Sequence, residues 1–456
     1  MVRSVAVPFE GTGSGEQPLT WAQNDVWQGM VATGEAATLS GVHEVPAGTT
    51  LDEQVELWSF ILSRHQALRT RLRFDADGTP HQVCSATGQA SMTVAEAGDA
   101  DPAAVAEDLR LQLERQPFDY QNDWPVRMAV VTSHGLLSHQ VTVYLHLMVD
   151  GGGIAAVVAD VAGRDPRTGA PAGPVTALQP LELARRQSQP AALRQSAASL
   201  RHLEHVLRVV SPRLLGEPKP DQPAEYRKIR FISPATALAA RRIAEDHDVS
   251  PSTALSAMFA VGLARRIQDG MVWAMVLVSN RFRPGLADSV SQLVQSSPFL
   301  IDVAEVSLAT VVSRARGSLL HTYKNAYYDG RRFNEVVERV SRERGEPIEF
   351  CCYYNDRRDG LAADDVADAP AATDGQLRQA LAHSSWSQLH EHALPAVPLF
   401  VNLDHPPGAT DFQVSFDTRY LDFDAVLAFL RGMETAAVET AITPDAPTRV
   451  SSRRQG

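Results

Sequence analysis

The stretch Tyr144-Leu145-His146-Leu147-Met148-Val149-Asp150-Gly151, with Gly152 and Gly153 behind it, decides how this sequence is read. Residues 140–149 (QVTVYLHLMV) are rich in β-branched and apolar side chains and predict a strand that delivers His146 to its end. Asp150 and the three glycines break that strand, and IAAVVADVAG behind them predicts a helix. A strand end is rigid, glycines let a substrate approach the backbone, and a helix start offers N–H groups where negative charge collects. Histidine is the side chain that can take a proton from an attacking amine or hydroxyl near neutral pH. Taken alone, His-x-x-x-Asp-Gly is a short pattern that a satisfied structural histidine fits as well.

Outward from this stretch, the flanking sequence reads as α/β. Residues 51–69 place Leu51, Val55, Trp58, Ile61, Leu62 and Leu68 at helical spacing. TRLRFDADGTPHQVC predicts strand, Asp-Gly turn, strand, and residues 101–115 predict a second amphipathic helix. Residues 164–180 hold four prolines and read as a linker, followed by a helix around 181–210. Beyond it, Ser233-Pro234 and Ser250-Pro251 read as helix starts with proline in the first turn. Residues 271–279 (MVWAMVLVS) read as a buried strand. The expected organisation is a flexible N-terminus at 1–16, an N-terminal lobe at 17–165 and a linker with a helix at 166–224. A C-terminal lobe at 225–443 and a flexible tail at 444–456 complete it.

Composition narrows the function classes. With 44% hydrophobic and 21% charged residues among 456, the chain is globular and long enough for two or three structural units. A net charge of −12 argues against nucleic acid or anionic lipid as a general partner. No apolar run reaches membrane-spanning length, and MVRSVAVPFEGTG does not read as a signal peptide, so a cytoplasmic location is expected. Three cysteines, Cys84, Cys351 and Cys352, exclude a disulfide framework and a cysteine-based zinc site. His390-Glu391-His392 is the nearest approach to a metal pair, but residues i and i+2 do not face one site on a helix, and no metal is expected. His65 and His405 read as helix-end and loop residues. Trp21, Trp27 and Trp58 read as core, and Tyr353 and Tyr354 fit core or a substrate channel equally.

Three further segments accompany HxxxDG in order: PLTWAQNDVW at 18–27, RHQALRT at 64–70 and SNRFRPGLADSVSQLVQSSPFLIDV at 279–303. Together they resemble the condensation domains of nonribosomal peptide synthetases, in which PLTxAQxxxW opens the domain, RHxxLRT closes the first helix and HHxxxDG carries catalysis. YYDGRRFNEVVE, FCCYYND and LFVNLDHPPGATDFQVSFDTRYLD sit where that family has its closing segments, so the resemblance spans about 17–443. It implies an α/β fold of two chloramphenicol-acetyltransferase-like lobes in a V with a central tunnel. It also implies a carrier-bound acyl or aminoacyl thioester on a phosphopantetheine arm as donor, and no bound cofactor. The acceptor is an amine, an alcohol or a second carrier-bound group. By this resemblance His146 is the catalytic base or positioning group, Gly151 contributes backbone at the reaction centre, and Asp150 is a structural acid paired with Arg281. Leu145 stands in place of the first motif histidine and argues against the heterocyclising subtype. Gly153, Ser291 and Gln295 replace a Ser, a Gly and an Asn of the family pattern.

The expected activity is that of a free-standing condensation-type acyltransferase, one condensation unit meeting an acyl or peptidyl carrier protein in trans. Arg185–Arg186, Arg194 and Arg201, or Arg331–Arg332, would supply a local basic docking patch for an acidic carrier, although solvated helix faces explain each cluster as well. Ester formation, transfer from a coenzyme A thioester, and a catalytically silent recruitment protein are the alternatives.

Overall fold

Strand Leu136–Leu145 is the element on which the first half of the chain is laid down. Its Val141 and Val143 are buried against helix Pro102–Arg115 on one side of the sheet. Its Tyr144 meets Trp58 of helix Leu51–Arg64, at 6.5 Å between ring centroids. Both faces of the strand are thus covered, which is why its last residues read as a continuous apolar run. The computed structural model describes residues 2–165, 167–357, 371–389 and 397–452.

The chain forms two compact units. The first comprises the chain up to Ser196 together with Ser279–Gln295 and Asp329–Arg331. Its main sheet orders five strands as Val2–Glu10, Thr87–Glu96, Val126–Ser133, Leu136–Leu145 and Thr38–Glu44. Only the pair Thr87–Glu96 with Val126–Ser133 is parallel, and helix Pro102–Arg115 makes its crossover. A small sheet of Gly15–Pro18, Pro80–Cys84 and Thr70–Phe74 carries the expected Asp-Gly hairpin. The second unit holds a seven-stranded sheet in the order Gln295–Asp302, Met271–Val278, Cys352–Asp356, Leu399–Asp404, Thr410–Asp417, Tyr226–Ser233 and Ser385–Leu389. Helix Pro251–Ile267 is buried without a break from Thr253 to Ala264. Gly262 lets it pack closely on helix Phe423–Ile442, since a Cβ there would come 2.5 Å from Met433 Cγ. Among the described residues no helix is long and apolar enough to cross a membrane.

Several expectations change. Residues 2–10 are a strand and not a flexible lead: Val7 and Phe9 alternate into the core, and the strand pairs antiparallel with Thr87–Glu96 from Val2↔Ala95 to Glu10↔Thr87. The tail is ordered through residue 450, where Val450 is buried and its carbonyl accepts from Glu305 N at 2.9 Å. The single helix expected at 181–210 is two, Pro180–Gln187 and Pro190–Val209, because Pro190 cannot continue the first. Residues 279–295 return to the first unit instead of staying with the second lobe. Leu178 N donates to Gly285 O at 2.8 Å, and Leu178 packs with Leu183, Leu286 and Leu293.

Tyr354 resolves to core, fully buried with its ring 4.7 Å from Phe259, while Tyr353 stacks on Phe400 at 5.7 Å. Trp21 and Trp58 are buried, and Trp27 packs on Phe74 and Tyr120. His390, Glu391 and His392 lie outside the described residues.

The RHQALRT motif acquires a structural role. Arg69 is fully buried, and its guanidinium donates to the carbonyls of Gly13 (2.8 Å), Thr12 and Ser85 and to Cys84 Sγ (3.2 Å). Among the described residues no carboxylate pairs with it, and backbone carbonyls hold the cation. Truncating it takes the donor from those carbonyls and leaves a cavity where the guanidinium stood. Arg69→Ala is expected to lower unfolding free energy by about 2–5 kcal/mol, read as a shift in the urea midpoint. A midpoint equal to wild type would show that the guanidinium does not hold the first strands.

Candidate active site

His146 follows directly on the strand end, and a short turn folds it back on itself. Its N–H donates to Ala37 O at 2.9 Å, and Met148 N donates to Leu145 O at 2.9 Å. Its ring Nδ1 lies 2.9 Å from Val149 O. A carbonyl oxygen only accepts, so Nδ1 carries the proton of the neutral ring and Nε2 keeps the lone pair. The residue is half-buried, between the buried Leu145 and Leu147. The local geometry therefore offers one basic nitrogen of defined tautomer.

Asp150 is committed to hydrogen bonds within the loop and the segment packed on it. It caps helix Gly151–Ala162, with Oδ1 accepting from Gly153 N at 2.7 Å. The same oxygen accepts from Arg281 Nη2 at 2.5 Å, and Oδ2 accepts from Leu293 N at 2.9 Å. At 1% exposure the carboxylate is spent on these three donors. Arg281 in turn donates to Ala287 O and Ser289 O at 3.0 and 2.9 Å. The sequence-expected pair Asp150 and Arg281 is thus in contact inside the first unit, and the segment 279–295 is shaped around it.

The three glycines divide between two tasks. Nothing lies within 4 Å of where a Gly151 Cβ would point. A Cβ on Gly152 would run into Arg281 Nε, and one on Gly153 would come 2.6 Å from Val149 Cγ2 and 3.2 Å from Ser291 O. Only Gly151 leaves the backbone open to an approaching group. Arg281 of the segment 279–295 fills the space of a Gly152 side chain, and Val149, with the Ser291 backbone behind it, fills that of Gly153. The N–H groups of Gly151 and Gly152 precede the first intrahelical bond, which Ile154 N makes to Asp150 O at 3.0 Å.

Residues around the loop supply support that sequence reading missed. Gln23 sits in a capping box with Thr20 at the start of helix Trp21–Thr33, and its Nε2 reaches Met148 Sδ at 3.5 Å. The Thr20-x-x-Gln23 spacing was the available signal. Arg64 grips Asp160 on helix Gly151–Ala162 through two bonds of 2.6 and 2.8 Å. His65, at the end of its helix as expected from sequence, lies 3.1 Å from the same carboxylate, and burial pushes its pKa down to about 4. Asn280 is fully buried at φ +58°, and its Nδ2 donates to Leu293 O at 3.1 Å. Leu145, at the position of the missing motif histidine, is buried in the core of the first unit beside Leu147 and Val149. Of the basic docking candidates, Arg185 and Arg186 both pair with Glu182, and Arg331 contacts Asp329. His405 is tied to Asp356 at 2.8 Å.

The family model described as Condensation domain matches residues 14–350. The chain belongs to the condensation-domain family. Its mixed α/β architecture is the chloramphenicol-acetyltransferase-like fold of that family, and membership brings a condensation-type acyl-transfer role in nonribosomal peptide and polyketide-related biosynthesis, with carrier-bound substrates. Solved structures share the fold at low identity. The SgcC5 protein from Streptomyces globisporus, solved with (R)-(-)-1-(2-naphthyl)-1,2-ethanediol and sucrose, is 18% identical with a TM-score of 0.67, covering 94% of this chain and 100% of its own. The condensation domain of chain release from the enacyloxin polyketide synthase is 18% identical with a TM-score of 0.68, over 96% and 86%. The X-domain from teicoplanin biosynthesis is 15% identical with a TM-score of 0.69, over 97% and 99%. No curated protein matches the sequence.

Removing the Asp150 carboxylate strips a helix cap, an ion pair and a backbone acceptor at once. Asp150→Ala is expected to cost about 3–5 kcal/mol of stability, mostly from the uncompensated Arg281, measured by thermal or urea unfolding. A variant as stable as wild type would show that the ion pair does not hold the loop.

Proposed function

We propose that this protein is a condensation-type acyltransferase that joins a carrier-protein-bound acyl or aminoacyl thioester to an amine in specialised-metabolite biosynthesis. The observation that carries this reading is the His146 ring, whose Nδ1–H is committed to Val149 O and whose Nε2 is left as the base. The amine nitrogen attacks the thioester carbonyl, and its proton passes to His146 Nε2. The tetrahedral oxyanion collapses, the C–N bond stays, the C–S bond breaks, and the proton returns from the imidazolium to the phosphopantetheine sulfur. Gly151, with open space where a side chain would stand, gives the carbonyl access to the backbone, and the N–H groups of Gly151 and Gly152 are the donors suited to the oxyanion. Asp150 and Arg281 hold the loop without touching substrate. No bound cofactor takes part. The donor is an acyl or peptidyl carrier protein, and the acceptor is a small molecule or a second carrier-bound group, met in the cytoplasm.

Alcohol acylation is the second reading. The SgcC5 protein has been solved with a 1,2-ethanediol, and a hydroxyl nucleophile needs the same base at the same place.

The test is intact-mass spectrometry of loaded carrier proteins mixed with the enzyme and candidate amines or alcohols. Wild type is expected to unload the carrier in an acceptor-dependent way. His146→Ala is expected to slow this by about 100- to 10,000-fold, the range of a general base, with unchanged thermal stability. A variant that turns over like wild type would remove His146 from the mechanism. Acceptor-independent retention of the acyl group across the panel would favour recruitment over catalysis.

A further inference from the structure

In the second unit, two helices meet in a cluster of basic side chains with bare hydrocarbon beside it. From Ala197 onward helix Pro190–Val209 belongs to this unit, as does helix Leu308–Asn325. His202 of the first stacks on His321 of the second, at 5.6 Å between ring centroids and 19° between planes. His205 follows one turn after His202, and Lys324 one turn after His321. Burial pushes the His202 pKa down, and the charges of His321, His205 and Lys324 push it the same way, so the groups acting on this ring are all basic. Glu204, the carboxylate between the two histidines of its helix, is turned to Arg208 and Arg339 at 2.6 and 2.8 Å. Arg201 is exposed and joins no ion pair among the described residues. Beside these groups Leu320 is 67% and Val209 55% exposed. Leu320 adjoins His321, and Val209 shares the helix stripe of His202 and His205.

Such a face stands out on a chain of net charge −12. Among the described residues no ion pair joins Arg201, His202, His205 or His321 to a carboxylate. Like charges gathered this way repel one another until an acidic group is brought against them. Exposed Leu320 and Val209 add apolar area of the kind found at the centre of a docking surface, with the basic groups as its rim. We propose that the face formed by Arg201, His202, His205, Leu320, His321 and Lys324 docks an acidic carrier protein, whose carboxylates meet the basic groups while an apolar side chain covers Leu320. The choice of a carrier rests on the acyl-transfer reading; the docking surface itself does not. A second copy of this chain is the competing occupant. Carboxylates placed against His202 favour its charged form, so docking takes up a proton. The affinity is therefore higher at pH 6 than at pH 8, on either side of the ordinary histidine value of ~6.5.

Surface plasmon resonance of the full-length protein against a panel of purified acidic carrier proteins, each bearing its phosphopantetheine arm, reads the docking directly. Wild type is expected to bind at least one of them, more weakly as salt is raised. Arg201→Glu and Leu320→Glu are each expected to weaken binding by about tenfold or more, with unchanged melting temperature because both side chains are exposed. Leu136→Glu, an exposed site on the first unit, is expected to bind as wild type does. Wild-type affinity is expected to fall several-fold from pH 6 to pH 8, and His202→Gln to flatten that fall. Arg201→Glu and Leu320→Glu proteins that bind like wild type, or a wild type that binds no carrier in the panel, would overturn docking at this face. A wild-type dimer on size exclusion that Leu320→Glu splits would overturn the carrier and give the face to a second copy. One pH profile shared by wild type and His202→Gln would overturn the part assigned to the histidines. Failure to unload a carrier that binds would count against the acyl-transfer reading and leave the binding result to decide the docking surface.

Discussion

The ion pair between Asp150 and Arg281 is the constraint on which the site depends. It joins residues 131 apart in the chain and sits almost wholly out of water. A buried carboxylate without partners would be strongly unfavourable, and this one survives because a guanidinium and two backbone N–H groups converge on it. Satisfying it dictates its surroundings. Arg281 needs the space beside Gly152, and the Val149 side chain, with the Ser291 backbone next to it, needs the space beside Gly153. Two of the three glycines are thereby explained by packing and one is left open to the outside.

The geometry of the histidine follows from the same loop. Val149 O and Asp150 are adjacent, so the element that caps the helix also sets the acceptor for His146 Nδ1–H. Hydrogen bonds from His146 N to Ala37 O and from Gln23 to Met148 close the loop on two other sides. Leu145 contributes apolar packing at a position where the family motif carries a second histidine. The chemistry proposed for His146 uses none of the atoms that Leu145 lacks.

Local pattern carried much of this. The strand ending at His146, the helix opening at Gly151, the hairpin turn of 70–84 and the helices begun by Ser233-Pro234 and Ser250-Pro251 are all written in neighbouring residues. What stayed hidden depends on distant partners. Val5, Val7 and Phe9 alternate, but the strand they form has its partner at 87–96, and the surrounding Gly, Ser and Glu mask the period. Arg69 looks like a surface cation until Thr12, Gly13 and Ser85 are folded around it. Nothing in residues 279–295 says that they return to the first unit, although the family motif hints at it through Arg281. His202 and His321 stack although neither neighbourhood announces the other, because their two helices lie far apart in the chain.

The loop holds His146 with its proton on Nδ1 and its lone pair on Nε2. Long-range 15N–1H correlation spectra of histidine-labelled protein, with the signal assigned by comparison with His146→Ala, read this directly in the neutral ring. A pyrrole-like shift is expected for Nδ1 and a pyridine-like shift for Nε2. A spectrum with the proton on Nε2, or with averaged shifts from freely exchanging tautomers, would contradict it.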